Sequence, residues 1–285
     1  MWLVYTLFGN FIGSFFSIFN KKIDNPSSLN NLFFMIFIQY VFCIIVCIIL
    51  YPGFILNISI INLLKVLPVF ITGKLGFICY VKAVENGDVS KILPITKLNV
   101  LIPIIGGIIF FNEKLTFLQI MLGVIILILG YLLSKKVVDD KTGNIKSLIF
   151  ALLFSLLNGI TQLLKKYFIV DFSDSFFFQF NISIVALIVL SLFFLLSPKI
   201  SFNKLKNIPQ KKYLLLAALS DIICVLMVNY AMITGELSII TIISAGSIMI
   251  SLLLSRIILK EKITFSQYIM IILLITSILI LSLVS

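Results

Sequence analysis

Three ionisable residues interrupt stretches that are otherwise apolar: Lys74 in ITGKLGFICY, Lys97 in PITKLNVLIP and Asp221 in LAALSDIICV. A charge at bilayer depth costs about 2.5–3.5 kcal/mol even on the lenient insertion scale, so such groups face a polar cavity or one another. When the chain is shifted by 148 residues, Lys74 falls on Ile222, beside Asp221. That correspondence puts Lys74 and Asp221 at similar depths and predicts a direct pair between them. Lys97 is then a surplus positive charge, and the expected substrate carries a carboxylate or phosphate. Packing alone, with the lysines snorkelling or bonded to backbone carbonyls, is the competing explanation. Asn10, Asn99, Asn158 and Gln162 are the uncharged candidates for the same substrate-binding lining, although interhelical hydrogen bonds would also account for polar residues in spans. Asp221 is the one mid-span carboxylate and so the one candidate for proton coupling.

Other chemistry lacks the residues to perform it. The chain has no His, and its four cysteines (Cys43, Cys47, Cys79 and Cys224) sit in apolar runs without metal or redox spacing. It holds no HExxH, no paired intramembrane carboxylates and no phosphate-binding P-loop, so neither a membrane enzyme nor an intrinsic ATPase motor is expected. No cofactor and no metal is called for.

The elements that must position these residues follow from composition. Of 285 residues 61% are hydrophobic and 12% charged, and the mean hydropathy is +1.23. No water-soluble domain could hide that much apolar surface, so an all-α integral membrane protein is expected. The formal net charge of +11 comes from lysines between apolar runs, which fits membrane orientation and excludes nucleic acid as a partner. A bilayer needs about 20 apolar residues per helix. The chain offers ten runs, at 2–20, 29–51, 63–84, 88–111, 116–134, 147–168, 175–196, 211–233, 237–259 and 264–283. The first is read as a span because it lacks the basic start and cleavage site of a signal peptide.

The polar stretch KKVVDDKTGNIK divides five runs from five, giving a first repeat over 1–134, a linker over 135–146 and a second repeat over 147–285. At the same shift AVENGDVS matches AMITGELS, and FNEKLTFLQ at 111–119 matches LKEKITFSQ at 259–267. Each repeat has an odd number of spans, so the second enters the membrane from the opposite side, and inverted repeats of this kind frame alternating-access sites. In the recurrent motif Thr116 with Gln119, and Thr264 with Gln267, have the spacing of a capping box. Glu113 and Glu261 are expected in solvated turns, as structure rather than machinery. Thr241, Ser244, Ser247, Ser251 and Ser255 recur at helical spacing and predict one small-residue packing face. Pro94 and Pro103 flank Lys97 and predict a bent helix, while Gly9 and Gly13 form a GxxxG contact.

The run CYVKAVENGDVSKILPITKLNVLIPIIGGIIFFNEKLTFLQIMLGVIILILG, with its Pro-containing helix, Glu turn and Gln-xx-Gly helix, resembles the ten-helix, EamA-like branch of the drug/metabolite transporter superfamily. The resemblance covers both halves. It implies ten transmembrane helices in two inverted five-helix repeats, with a cavity lined mainly by the first, third and fourth helices of each. The chain departs from the pattern at Ile271, which stands where the first copy has Gly123, at Lys74, and in the connection after the second span, which lacks basic residues.

The resulting expectation is a multi-pass transporter of the cell membrane that moves a small polar metabolite, such as an amino acid or another organic anion. Efflux of amphipathic drugs is the same-family alternative; a non-transporting scaffold or lipid-carrier flippase subunit is the alternative from another class. The expected partners are a small-molecule substrate and the lipid bilayer, with the chain a monomer or homodimer. Ten spans would place both termini on one side with Lys65, Lys114, Lys165 and Lys166, against sixteen basic residues on the other. The positive-inside rule then puts the sixteen in the cytoplasm, whereas the family resemblance implies the reverse.

Overall fold

The computed structural model describes residues 1–20, 22–23, 28–86, 95–135, 145–172, 174–196, 208, 210–259 and 265–284, all helix or connection with no strand among them. The helices are α1 (Trp2–Asn20), α2 (Leu29–Leu50), α3 (Ile60–Asn86), α4 (Leu101–Phe111), α5 (Phe117–Lys135), α6 (Ile145–Phe172), α7 (Ser175–Leu196), α8 (Lys211–Thr234), α9 (Leu237–Ala245), α10 (Ile248–Leu259) and α11 (Phe265–Val284). A short 3-10 helix over Pro52–Asn57 follows α2, and another over Lys97–Val100 leads into α4. Among the described residues seven helices are long and apolar enough to cross a membrane, with α9 and α10 taken as one; three shorter apolar helices cover Leu98–Phe111, Phe117–Leu132 and Tyr268–Val284. Within hydrocarbon a helix is the one open-ended element that satisfies its own backbone, which is why these apolar runs are helical.

The outer surface is apolar. Ile109 is 63% exposed, Phe117 78%, Leu195 78% and Ile257 72%, a coat that lipid tolerates and water does not. Inside, Tyr40, Val66, Phe70, Phe178, Ile182 and Ile240 pack in the largest buried cluster. A second cluster joins Leu122 and Ile126 of α5 to Ile242 of α9 and Leu274 of α11.

Helix pairings recur between the halves. α1 lies along α8 as α3 lies along α6; α2 meets α8 as α7 meets α3; α1 meets α10 as α6 meets the 3-10 turn and α4. α2 with α7, α4 with α9 and α5 with α11 close the set across the middle. Glycine sets the spacing of the contact between α1 and α8. A Cβ at Gly13 would lie 2.6 Å from Cys224 Sγ and one at Gly9 would lie 2.9 Å from Met227 Cβ. In the counterpart pair the glycines are on α3, where a Cβ at Gly73 or Gly76 would lie 3.4 Å from Thr161 or Leu157, an ordinary contact. Without side chains on one partner the helix axes approach closely, the usual route to affinity between membrane helices.

Residues 136–144 of the expected linker and the start of the expected fourth span, with Pro94, lie outside the described residues.

Candidate substrate cavity

A cavity of about 210 Å³ opens among α1, α2, α3, α6, α7 and α8. Lys74 enters it from α3, Asn158 and Lys165 from α6, Asp221 from α8, Gln39 and Tyr40 from α2 and Gln179 from α7. Asn158, Thr161 and Lys165 stand at i, i+3 and i+7, so one face of α6 carries all three. Gln39 Nε2 donates to Asp221 Oδ2. Lys74 Nζ lies 4.8 Å from the Tyr40 ring centroid and 5.9 Å from that of Phe77, cation–π contacts that hold an ammonium without neutralising it. Thr161 Oγ1 donates to Thr72 Oγ1 at 2.9 Å, and Asn229 Nδ2 donates to Gln179 Oε1 at 2.9 Å. Two ammonium groups face one carboxylate here. With Asp221 held by Gln39, one positive charge is left for an incoming anion, and Tyr40, Phe70 and Phe77 give it an apolar wall.

The sequence-predicted residues divide among three places. Lys74, Asp221 and Asn158 share the charged cavity. The direct Lys74–Asp221 pair is not formed: an amide intervenes as the partner of Asp221, and the lysine turns to aromatic faces. Asn99 and Gln162 line a separate cavity of about 100 Å³ between the 3-10 turn, α4, α6, α8 and α9. Asn10 reaches neither charged group. Its Nδ2 donates to Thr6 O at 2.7 Å and to Ser244 Oγ at 3.0 Å, tying α1 to α9, and it borders a mostly apolar third cavity of about 130 Å³. The Lys97 side chain lies outside the described residues.

Three further expectations change. The charged cavity takes side chains from α2 and α7, not from the fourth or ninth spans, which border the smaller one. Lys165 is not a loop charge, because α6 runs on to Phe172 and carries it into the cavity. The serine face does not run along a single helix: the ninth span stops at Ala245 and resumes at Ile248, so Thr241 and Ser244 border one cavity and Ser247 another. Lys165 was hidden by the neighbouring Lys166 and Tyr167, which make LLKKYF read as an interfacial end. Gln39 and Gln179, single amides inside apolar runs, were signals available in the sequence.

The turn motif behaves differently from a solvated joint. Thr116 N–H donates to Gln119 Oε1 at 2.7 Å and Gln119 N–H to Thr116 Oγ1 at 3.3 Å, the reciprocal bonds of a capping box. Asn112 takes a left-handed φ of 54° as α4 ends. This reversal aims Glu113 inward at the start of α9, where its carboxylate accepts from Leu237 N–H at 2.6 Å, Ser238 N–H at 3.0 Å and Ser238 Oγ at 2.5 Å. Glu236, which occupies the N-cap position of α9, makes no cap bond of its own. Burial raises the Glu236 carboxyl above its usual range, Glu113 adds to the rise and Lys166 opposes it. Lys166 is itself buried and donates to Met232 O at 2.5 Å and Gly235 O at 2.7 Å, closing the free carbonyls at the end of α8. Glu261 and Thr264 lie outside the described residues, as does the Gln267 side chain.

Comparison with known proteins agrees with this architecture. The profile of the EamA-like transporter family matches residues 1–135 and again 145–283. A solved structure, titled only as the crystal structure of a protein, superposes with a TM-score of 0.74 at 11% identity over 99% of this chain and 98% of that one. At that identity the likeness concerns the fold alone. No curated protein matches the chain.

Proposed function

The chain belongs to the EamA-like transporter family of the drug/metabolite transporter superfamily, and from that premise we propose that it carries a small anionic metabolite across the cell membrane by alternating access. The protein is a multi-pass membrane protein. In this reading ten spans form two inverted halves, 1–134 and 147–285, joined by the linker at 135–146, and the substrate binds between them without any enzymatic step. The observation that carries the proposal is the charged cavity, where Lys74 and Lys165 stand with a single carboxylate, Asp221, already bound by Gln39. Such groups are costly at bilayer depth, and a scaffold has no use for them. A carboxylate or phosphate is the natural guest of two ammonium groups. Lys97 enters the proposal from the sequence alone.

The recurrent pairing of helices supports two halves that rock about the site. Amphipathic drugs fit this lining less well, since its polar groups would be left without partners around an apolar cation.

Purified protein in detergent, screened for thermal stabilisation by organic acids, amino acids and phosphate esters, tests the reading, because ligands that bind the folded state raise its apparent stability. Anionic metabolites are expected to stabilise and to be taken up by proteoliposomes. Stabilisation confined to lipophilic cations would overturn the proposal in favour of drug efflux.

A further inference from the structure

The fourth and ninth spans are interrupted at matching positions. The 3-10 turn covers Lys97–Val100; at the repeat shift these residues fall on Ala245–Ile248, where α9 ends and α10 begins. Residue chemistry accounts for both. Pro103 has no N–H to offer the carbonyl of Asn99 four residues earlier. On the other side the Gly246 N–H is divided between Ile242 O at 3.3 Å and Ile243 O at 3.0 Å, and the Ser247 N–H returns to Ser244 O at 3.2 Å, tightening the last turn of α9.

Both interruptions border the cavity of about 100 Å³, which Asn99, Gln162, Thr241 and Ser244 line. Asn99 Oδ1 and Gln162 Oε1 are buried and have no hydrogen-bond partner. The Thr241 hydroxyl proton is committed to Leu237 O and Ser238 O, both at 2.9 Å, leaving its lone pairs to accept. Ser244 Oγ accepts from Asn10 Nδ2. Among the described side chains of this lining, two buried amide oxygens thus lack a positive partner, a threonine oxygen is free to accept, and no charged group is present.

We propose that this cavity binds a monovalent metal cation, with Asn99 Oδ1, Gln162 Oε1 and Thr241 Oγ1 among its ligands. Neutral oxygens beside broken helices are how several membrane transporters hold a coupling ion. A divalent ion would call for carboxylates, and the described residues of this lining include none. The site is separate from the charged cavity, so it would supply the driving ion for whatever anion binds there.

Thermal unfolding of the purified full-length protein tests this, with N-methylglucamine chloride replaced stepwise by the chlorides of lithium, sodium or potassium at constant ionic strength. The expected result is a saturable rise of several degrees in Tm with at least one alkali cation. The rise should vanish in Gln162→Met and in Thr241→Val, both folded in the N-methylglucamine medium. Should both variants fail to fold, saturable binding of radioactive sodium or rubidium to the unaltered protein, displaced by the unlabelled ion, carries the proposal, and non-saturable binding overturns it. A rise with methylammonium alone would assign the oxygens to a substrate ammonium and overturn the metal site. No rise with any cation also overturns it, leaving a buried water as the guest. Neither readout involves transport, so a failed substrate search leaves this site standing and an absent cation effect leaves the charged cavity standing.

Discussion

Ser238 gives Glu113 both of its protons, the backbone N–H at 3.0 Å and the hydroxyl at 2.5 Å, across a separation of 125 residues in sequence. A carboxylate from the turn after the fourth span thus caps the ninth. The cap is possible because Gly107 leaves room: a Cβ there would lie 2.3 Å from Glu113 Oε2 and 2.4 Å from Ser238 Oγ.

Removing that carboxylate strands two N–H groups at the start of a buried helix. Glu113→Ala is expected to destabilise the protein by about 1–3 kcal/mol, with Ser238→Ala losing less and the double variant losing less than the sum. Gly107→Ala should give a loss comparable to Glu113→Ala through the clash alone. Chemical unfolding in detergent measures all four, and strictly additive losses for Glu113 and Ser238 would contradict the shared cap.

Lys165 provides the second prediction. Lys165→Gln keeps a polar side chain, one atom shorter, and loses the charge, so uptake of the anion identified by the stability screen should fall at least tenfold, and the anion-induced rise in Tm should shrink. Lys114→Gln, on the exposed turn, should change neither. Uptake by Lys165→Gln at the parental rate would remove Lys165 from the binding site.

The raised carboxyl of Glu236 gives a pH prediction with a definite sign. A carboxyl whose value is higher in the folded state than in the unfolded one holds its charge at a disadvantage once folded. It therefore lowers stability above its folded value, and the penalty disappears as pH falls below its unfolded value. Glu236→Gln should thus be more stable than the parent at neutral pH, with the difference fading on acidification. Thermal unfolding at a series of pH values checks this; a difference that grows toward acid pH would mean that the charged form is the favoured one.

Orientation is the fourth. With Lys165 in the cavity and Lys166 buried against α8, the side of the termini keeps only Lys65 and Lys114 of its four basic residues, and Lys65 is ion-paired with Asp171. On the proposed ten-span topology the imbalance becomes steeper, and the positive-inside rule predicts both termini outside. Cysteines placed singly at Asn112 and Lys146 and probed in intact cells with an impermeant thiol reagent should label at 112 and not at 146, against the blank of the parental protein. The opposite pattern would favour the orientation implied by family resemblance.

Much of the scaffold is determined by the sequence alone, because the bilayer constrains it so tightly. An apolar run of sufficient length must satisfy its own backbone, so the bounds of α1, α2, α7 and α8 fall within a residue of those expected. The repeat is equally legible, since Glu113, Thr116 and Gln119 recur as Glu261, Thr264 and Gln267 at a constant shift. Capping is local as well: Thr116 and Gln119 stand three residues apart and find each other within one turn.

What the sequence leaves open is decided by which helix faces which. Lys74 and Asp221 come from matched depths, yet Gln39 stands at Asp221 and aromatic rings stand beneath Lys74, because α2 inserts its face between α3 and α8. Glu113 reads as an interfacial charge until α9 begins within its reach. Asn99 and Gln162 leave the charged group, and Lys165 joins it, through helix rotation, a rigid-body property that the bilayer does not constrain. The thickness of the bilayer fixes how long a span must be; the residues that let two helices approach, such as Gly13 against Cys224, fix which of its faces meets the cavity.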